Sequence, residues 1–94
     1  MALRFEWDPQ KAVENIGNHG VSFEEALTVF DDPLALTALD TAHSDEEFRW
    51  ATIGRTWRDH LIVAFYTERG DSIRLISARS PMRHERRAYE EEPL

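Results

Sequence analysis

The chain has 94 residues, of which 41% are hydrophobic, 11% aromatic and 31% charged, and its formal net charge is −7. These values indicate one globular domain, residues 1–94, and exclude a multidomain or intrinsically disordered protein. The absence of cysteine excludes a disulfide scaffold and a thiolate zinc site, and no apolar run has the length of a membrane span or signal peptide, so we expect a cytoplasmic protein.

A first helix is predicted to begin at Asp8-Pro9. Aspartate is a favoured N-cap residue, and proline is favoured at the first helical position. Val13 and Ile16 follow at helical spacing, so both are expected to face the core, and Gly17 and Gly20 end the helix.

A second helix is predicted from the sequence Ser22-Phe23-Glu24-Glu25. It fits a capping box, in which the serine bonds a first-turn amide and Glu25 reaches back to the N-cap amide. We expect the helix to run to about Phe30 or Asp31, because Asp32-Pro33 stops it.

From residue 34 the apolar period changes from about 3.6 to 2, which indicates strands. The strands are predicted at residues 34–39, 48–53, 60–67 and 72–79, with a possible extra strand at 4–7. Residues 60–67 are apolar on both faces, which is typical of a strand in the middle of a sheet.

A last helix is predicted to begin at Ser80-Pro81 and to run to about Tyr89. The acidic tail at residues 90–94 is expected to be frayed. The order is therefore two N-terminal helices, a four-stranded antiparallel sheet and a C-terminal helix, which indicates an α+β fold.

Several common sites are excluded by the absence of their motifs. The chain lacks G-x-G-x-x-G, G-x-x-x-x-G-K-[ST] and G-x-S-x-G, which build nucleotide-binding and serine hydrolase sites. His43 with Asp45, Glu46 and Glu47 matches no metal-ligand spacing, so we expect a solvated loop and no metal or cofactor.

The charge is unevenly distributed along the chain. Residues 1–50 have a net charge of −8, whereas residues 51–89 have eight arginines against four acids, a net charge of +4. An anionic partner therefore requires that the fold gather these arginines on one face. The alternative is that they are solvated or pair with local acids.

The densest group of arginines lies at the end of the last strand and on the last helix, at Arg74, Arg79, Arg83, Arg86 and Arg87. Arg79 and Arg83 are expected to converge at the helix N-terminus, whose amides also favour a phosphate. The alternative is a surface helix with solvated arginines and Tyr89 packed on the sheet.

Two further side chains admit a functional and a structural interpretation. His19, at the junction of the first two helices, can act as an acid or base or can cap the first helix. Trp57, in a turn between arginines, can stack a base, anchor a partner or pack within its loop.

Motifs in a specific order extend from about Arg4 to Glu90. They are Phe5-Glu6-Trp7-Asp8-Pro9, Lys11, Asn15, His19-Gly20-Val21-Ser22-Phe23-Glu24-Glu25-Ala26, Phe30, Asp32-Pro33, Asp40, His43-Ser44, Glu47, Arg49, Gly54, Arg74, Ser77-Ala78-Arg79, Glu85-Arg86 and Tyr89. In this combination the chain resembles the BrnT family, the toxins of type II toxin–antitoxin modules.

The resemblance implies a RelE-like ribonuclease fold and an RNA-cleaving activity that halts translation. It also implies a BrnA-type antitoxin with a ribbon-helix-helix part, so that operator DNA is reached only through the antitoxin. Such ribonucleases need no metal, because the RNA 2′-hydroxyl attacks the adjacent phosphorus while the protein positions the phosphate, stabilises its charge and moves protons.

By this resemblance, Arg79 and Arg83 are expected to contact the phosphate and the transition state. His19 and Tyr89 are expected to transfer or position protons, and Glu85 is a weaker candidate for the base. Further RNA contacts are expected from basic and aromatic side chains at Lys11, Arg74, Arg86, Arg87 and Trp57.

The chain departs from the family at one position. The family usually has Lys-His-Gly at the helix junction, whereas this chain has Asn18 before His19. The lost positive charge and the acidic balance support an alternative, a catalytically weak homologue that binds the antitoxin and acts as a co-repressor. The retained Arg79, Arg83, Glu85 and Tyr89 favour the ribonuclease.

Overall fold

The computed structural model describes residues 3–43 and 47–91. Its strands and helices in chain order are β1 (Arg4–Glu6), α1 (Pro9–His19), α2 (Phe23–Ala26), β2 (Leu36–Leu39), β3 (Trp50–Arg55), β4 (Leu61–Arg69), β5 (Ser72–Arg79) and α3 (Arg83–Glu90). Short 3₁₀ segments lie at Leu27–Asp31 and Thr41–His43. The predicted α+β order is confirmed, and the possible extra strand is β1.

The five strands form one sheet in the order β1-β5-β4-β3-β2. Strands β2 to β5 are antiparallel and β4 is central, as predicted. Strand β1 pairs in parallel with β5, with Arg4 opposite Ser72, so the complete sheet is mixed rather than purely antiparallel. Parallel pairing is available here because no hairpin joins these two strands.

Some strand boundaries differ from the predicted ones. Strand β2 begins only at Leu36, because the Leu34 amide donates to Asp32 Oδ1 over 2.9 Å in a local turn. Strand β4 extends to Arg69, which shortens the following turn to Gly70 and Asp71. Gly70 has a φ of +60°, a conformation that favours glycine.

Helix α1 begins at Pro9 and ends before Gly20 as predicted, whereas Gly17, which was also expected to end it, lies inside the helix. Asp8 accepts a hydrogen bond from the Gln10 amide over 2.8 Å, and Gly20 ends the helix with a φ of +69°. The prediction that Val13 and Ile16 face the core is wrong, because they are 65% and 53% exposed.

The side chain that α1 buries is polar Asn15, which is 4% exposed. Its Nδ2 donates to the carbonyls of Val21 and Ala78, both over 2.9 Å, and its Oδ1 accepts from the Ala78 amide over 3.0 Å. Strand β1 pairs with β5 only as far as Arg74. The Asn15 amide therefore takes the place of a strand partner beyond that point, which sets the rotation of α1.

Helix α2 is capped by Ser22, whose Oγ accepts from the Glu25 amide over 3.1 Å. Only this half of the predicted capping box forms. The Glu25 carboxylate instead accepts from Thr56 Oγ1 over 2.7 Å and lies 2.9 Å from His60 Nδ1, which joins α2 to the β3–β4 hairpin.

The sheet has a core on each face. The residues packed between the sheet and the first two helices include Phe23, Val29, Ala64, Tyr66 and Leu75. On the opposite face, Tyr89 of α3 packs with Ile53, Leu61 and Val63. Within residues 3–43 and 47–91, α3 is the helix on this face and it packs only at this end; we call the remainder of this face the open face.

Helix α3 begins at Arg83, two residues later than Ser80-Pro81 predicted. The Met82 amide donates to Glu85 Oε1 over 2.7 Å, so the carboxylate of Glu85 accepts the N-terminal hydrogen bond of the helix. The helix continues through Glu90, the first residue of the predicted frayed tail, and residues 92–94 lie outside the described residues.

Candidate active site

Arginines from several strands share the open sheet face. Strand register places Arg4, Arg69 and Arg74 on one side of the sheet. Ser72 is opposite both Arg4 and Arg69, and Arg74 lies two residues after Ser72 on the same strand, so its side chain is on the same face. Arg79 lies on this side as well, opposite Val63 of the second core. The fold therefore gathers C-terminal arginines on one face, as an anionic partner requires.

Carboxylates accompany these arginines. Arg74 lies 3.6 Å from Glu6, and Arg69 lies 3.2 Å from Glu47. Both pairs are partly exposed, so each contributes little to stability, and a phosphate can compete for the guanidinium groups.

The open face meets the end of α1 and the start of α3 in a groove of about 570 Å³. The residues that line the groove are His19, Leu39, Asp40, Arg49, Ala51, Phe65, Ser77, Arg79, Met82 and Glu85. Three of the five predicted catalytic side chains, His19, Arg79 and Glu85, therefore lie in the same groove.

Arg79 and Glu85 form a two-pronged ion pair. Arg79 Nη1 donates to Glu85 Oε1 over 2.7 Å, and Arg79 Nη2 donates to Oε2 over 3.0 Å. This hydrogen bonding raises the pKa of Arg79. The guanidinium carbon also lies 5.0 Å from the centre of the Phe65 ring, a cation–π distance that fixes the plane of the fork.

The contacts of Glu85 keep it ionised. The hydrogen bonds from Arg79, together with the Met82 amide, outweigh burial and hold the pKa of Glu85 below its ordinary value. A carboxylate with a low pKa is a weak proton acceptor. The geometry thus suits Glu85 to holding Arg79 in position.

His19 is the last residue of α1 and is exposed at the groove. The left-handed backbone of Gly20 turns the chain directly after it, and the Gly20 amide donates to the Ile16 carbonyl over 2.8 Å. The imidazole therefore faces the groove from a fixed helix end, where it can exchange a proton with a bound ligand.

The other predicted site residues lie outside the groove lining. Arg83 is exposed on the first turn of α3, and Lys11 is exposed on α1. Arg86 and Arg87 form exposed pairs with Glu90 and Glu91, at 3.5 and 3.7 Å. Trp57 is 74% exposed at the tip of the β3–β4 hairpin, with the Arg58 guanidinium 5.9 Å from its ring centre.

Tyr89 is 8% exposed and binds a carboxylate rather than facing the groove. Its Oη donates to Asp32 Oδ2 over 2.6 Å, and the Arg55 amide donates to the same oxygen over 2.8 Å. Burial and the Asp32 carboxylate raise the pKa of Tyr89 to about 12, so the hydroxyl retains its proton. The hydrogen bond between Tyr89 and Asp32 connects α3 to the end of the 3₁₀ segment that follows α2.

Tyr89→Phe should lower the free energy of unfolding by about 1.5–3 kcal/mol, because a hydrogen bond to a partly buried charge is lost. RNA cleavage, the activity that the family resemblance implies, should remain near the wild-type level. Urea unfolding and RNA cleavage measure the two effects. Tyr66→Phe is the matched control, since Tyr66 Oη bonds the neutral Thr52 Oγ1 over 2.7 Å and should cost only about 0.5–1.5 kcal/mol. A selective loss of activity in Tyr89→Phe would instead favour the proton-transfer role.

Acid should destabilise the fold through Asp32. Burial raises the pKa of this carboxyl, but the bonds from Tyr89 and from the Arg55 and Leu34 amides outweigh burial and hold it below its ordinary value. A lowered folded pKa stabilises the protein above the ordinary value, near 4, and that contribution is lost as pH falls through the folded pKa. The urea concentration at the unfolding midpoint should therefore decrease when the pH is lowered below about 4. This decrease should be smaller in Asp32→Asn. An equal drop in both proteins would contradict this assignment.

Several groove residues carried no predicted role. Phe65 was expected only as an apolar strand residue, and Ser77, Asp40 and Arg49 entered only as parts of the family motifs. The alternation of Ser77 with Arg79 on β5 was the available signal, since residues two apart on a strand share a face. Nothing in the sequence indicated that Phe65 stands next to them.

None of the helices within residues 3–43 and 47–91 is long and apolar enough to cross a membrane. The same residues contain no group of three or more histidine, aspartate or glutamate side chains arranged to hold a metal ion. Residues 44–46, which include Asp45 and Glu46 of the loop near His43, lie outside them.

Comparison with known proteins agrees with this architecture. The 1.1 Å crystal structure of the Brucella abortus ribonuclease toxin BrnT superposes with a TM-score of 0.63 at 21% identity, covering 87% of this chain and 100% of that chain. At this identity the likeness concerns the fold. No curated protein matched the sequence. Residues 7–85 match the family model described as the ribonuclease toxin, BrnT, of type II toxin–antitoxin systems. Since this match covers most of the chain, the protein belongs to the BrnT family of type II ribonuclease toxins.

Proposed function

We propose that this chain is a metal-independent endoribonuclease whose active site is the groove around Arg79. The observation that carries the proposal is the meeting of His19, Arg79 and Glu85 in one groove beside a sheet face rich in arginine. The groove is open at the surface, as a site for a long polymer must be.

In the proposed reaction the RNA 2′-oxygen attacks the adjacent phosphorus and the bond to the 5′-oxygen breaks, giving a 2′,3′-cyclic phosphate and a 5′-hydroxyl. The 2′-hydroxyl loses one proton, and the leaving 5′-oxygen gains one. His19 is the proposed carrier of a proton in this exchange. Arg79 is the proposed contact to the phosphate oxygens, on which negative charge grows in the transition state.

The Arg79 guanidinium has donors to spare for this task. Among its contacts with described residues, three donated bonds go to the two Glu85 oxygens and to the Ser80 carbonyl, the last over 3.1 Å. An arginine side chain has five N–H donors, so two remain to bind a phosphate without breaking the ion pair. Glu85 acts here as a positioning residue.

The neighbouring arginines extend the site. Arg4, Arg69 and Arg74 share the sheet face and are proposed to bind flanking phosphates of the RNA. No role in the reaction is proposed for Arg83, Tyr89, Lys11, Arg86, Arg87 or Trp57, because none of them lines the groove or belongs to the strands that carry the arginines of the open face.

The cellular role follows from the family. We infer that RNA cleavage in the cytoplasm inhibits translation and that a BrnA-type antitoxin with a ribbon-helix-helix part neutralises the toxin. Operator DNA is then contacted through the antitoxin. The family match supports the coarser part of this inference, because a type II ribonuclease toxin implies an antitoxin partner and an RNA substrate.

One observation favours a second candidate function, that of a weak catalyst that serves as an antitoxin-binding co-repressor. The groove combines Arg49 and Arg79 with Asp40 and Glu85, so its formal charge is balanced rather than positive. RNA binding needs an excess of positive charge. Asn18, next to His19, adds none.

The deciding experiment uses the purified full-length chain and a ribosome-free RNA transcript, in buffer with a metal chelator. The proposal expects cleavage with cyclic phosphate ends, and it expects growth arrest and RNA loss when the chain is expressed in bacteria. Intact RNA in both assays, with folded protein and bound antitoxin, would support the co-repressor. Cleavage abolished by the chelator would contradict the metal-independent reaction.

A further inference from the structure

Strand β2 forms one outer edge of the sheet, and no other strand of the described residues, 3–43 and 47–91, pairs with its outer side. The Asp40 amide donates to the Arg49 carbonyl over 2.7 Å, toward β3. Because backbone direction alternates along a strand, the amides and carbonyls of Thr37 and Leu39 point away from β3, at the free edge. These groups are available to an added strand.

The two outer edges of the sheet differ in how strongly their residues oppose pairing with another chain. Strand β1 has charged residues at Arg4 and Glu6, and charges on an edge strand oppose pairing with another chain. Strand β2, with the sequence Leu-Thr-Ala-Leu, has neither a charge nor a proline, and Leu39 is 37% exposed. Only the β2 edge therefore has the composition of a docking strand.

An apolar groove of about 250 Å³ accompanies this edge. It lies between β2 and α3, and its apolar lining includes Leu36, Ala38, Ile53, Val63 and Ala88. Ala51 and Glu85 line both this groove and the reaction groove, so the two are adjacent. A chain that pairs with β2 reaches Leu39 and Asp40, which border the reaction groove.

We propose that an extended segment of the antitoxin adds to the sheet as a sixth strand beside β2. Its alternate apolar side chains fill the groove between Leu36 and Ala88, and its continuation past Leu39 covers the reaction groove. Docking at this edge therefore also blocks RNA. The inference rests on the proposed function for this blocking step, whereas the docking itself requires only a toxin with a protein partner.

Charge disfavours a second copy of the chain as the occupant, and a type II toxin has an antitoxin as the alternative. Each copy has a formal charge of −7, so two copies repel each other, and each brings only a four-residue edge strand. A partner with positive charge is attracted to this chain electrostatically, whereas a second copy is repelled.

The test compares Thr37→Pro with Thr37→Val. Both variants lose the Thr37 Oγ1 bond to Thr52 Oγ1, which measures 2.8 Å, but only proline removes the outward amide. An edge strand tolerates proline at such a position. We expect Thr37→Pro to weaken binding of the full-length, co-encoded antitoxin by at least about tenfold relative to Thr37→Val, with RNA cleavage equal in both.

Hydrogen exchange on the wild-type protein gives a second measurement that does not depend on how a variant folds. The antitoxin should protect the Thr37 and Leu39 amides. Equal affinities of the two variants, or unprotected amides in the complex, would overturn the proposal. Protection in the concentrated toxin alone would identify a second copy as the occupant. If RNA is not cleaved but the amides are protected, the proposed ribonuclease function fails while the docking edge stands.

Discussion

Arg79→Ala should lower the rate of RNA cleavage by about 100- to 1000-fold, equivalent to about 2.7–4 kcal/mol of transition-state stabilisation. The guanidinium is the cation that Glu85 and Phe65 hold in a fixed plane within the groove. The loss should appear mainly in kcat, because the growing charge of the transition state is the main target of the guanidinium. Single-turnover cleavage of a short labelled RNA measures it.

Arg83→Ala is the matched control for this prediction. The two arginines lie four positions apart, but Arg83 is exposed outside the groove lining, so its removal should change the rate by less than about threefold. Arg79→Lys should recover only part of the activity, because lysine keeps the charge and loses the fork. Equal losses from Arg79→Ala and Arg83→Ala would contradict the assignment of the site.

Asn15→Ala should destabilise the fold by about 3–5 kcal/mol, the largest effect that we expect outside the groove. It leaves three backbone groups without their partner, namely the amide and carbonyl of Ala78 and the carbonyl of Val21. Arg79 follows Ala78 directly, so the reaction groove should lose its order as well. Urea unfolding measures the stability, and cleavage at low temperature measures the residual activity.

Val13→Ala and Ile16→Ala on the same helix are the controls. Both side chains are more than half exposed, so each change should stay within about 0.5 kcal/mol. A larger loss from either control than from Asn15→Ala would mean that α1 packs through its apolar residues, as their spacing suggested. That result would contradict the described orientation of the helix.

Helix α1 shows the limit of an argument from periodicity. The caps at Asp8 and Gly20 depend on neighbours in sequence, and both were predictable. Which side faces inward depends on the sheet edge beyond β1, where the side chain of Asn15 satisfies both the donor and the acceptor of Ala78. Apolar spacing alone could not reveal this need.

In the candidate site, too, some features were predictable from the sequence and others were not. From the sequence, Arg79 was expected to converge with Arg83 at the helix start, whereas in the structure Arg79 pairs with Glu85 and Arg83 lies outside the groove lining. The meeting of Arg79 and Glu85 with His19 was predicted only through the family resemblance. The aromatic support from Phe65 required the register of β4 against β5, in which Phe65 is opposite Ser77.

The α+β order, the family resemblance and most helix and strand positions were predictable from the sequence, because caps, turn residues and apolar periods act between close neighbours. Three features became visible only in the folded protein: β1 runs parallel to β5, α1 faces the sheet with Asn15, and Tyr89 binds Asp32 outside the groove. These features join residues far apart in the chain. They depend on which backbone and charged groups remain unsatisfied once the sheet has formed.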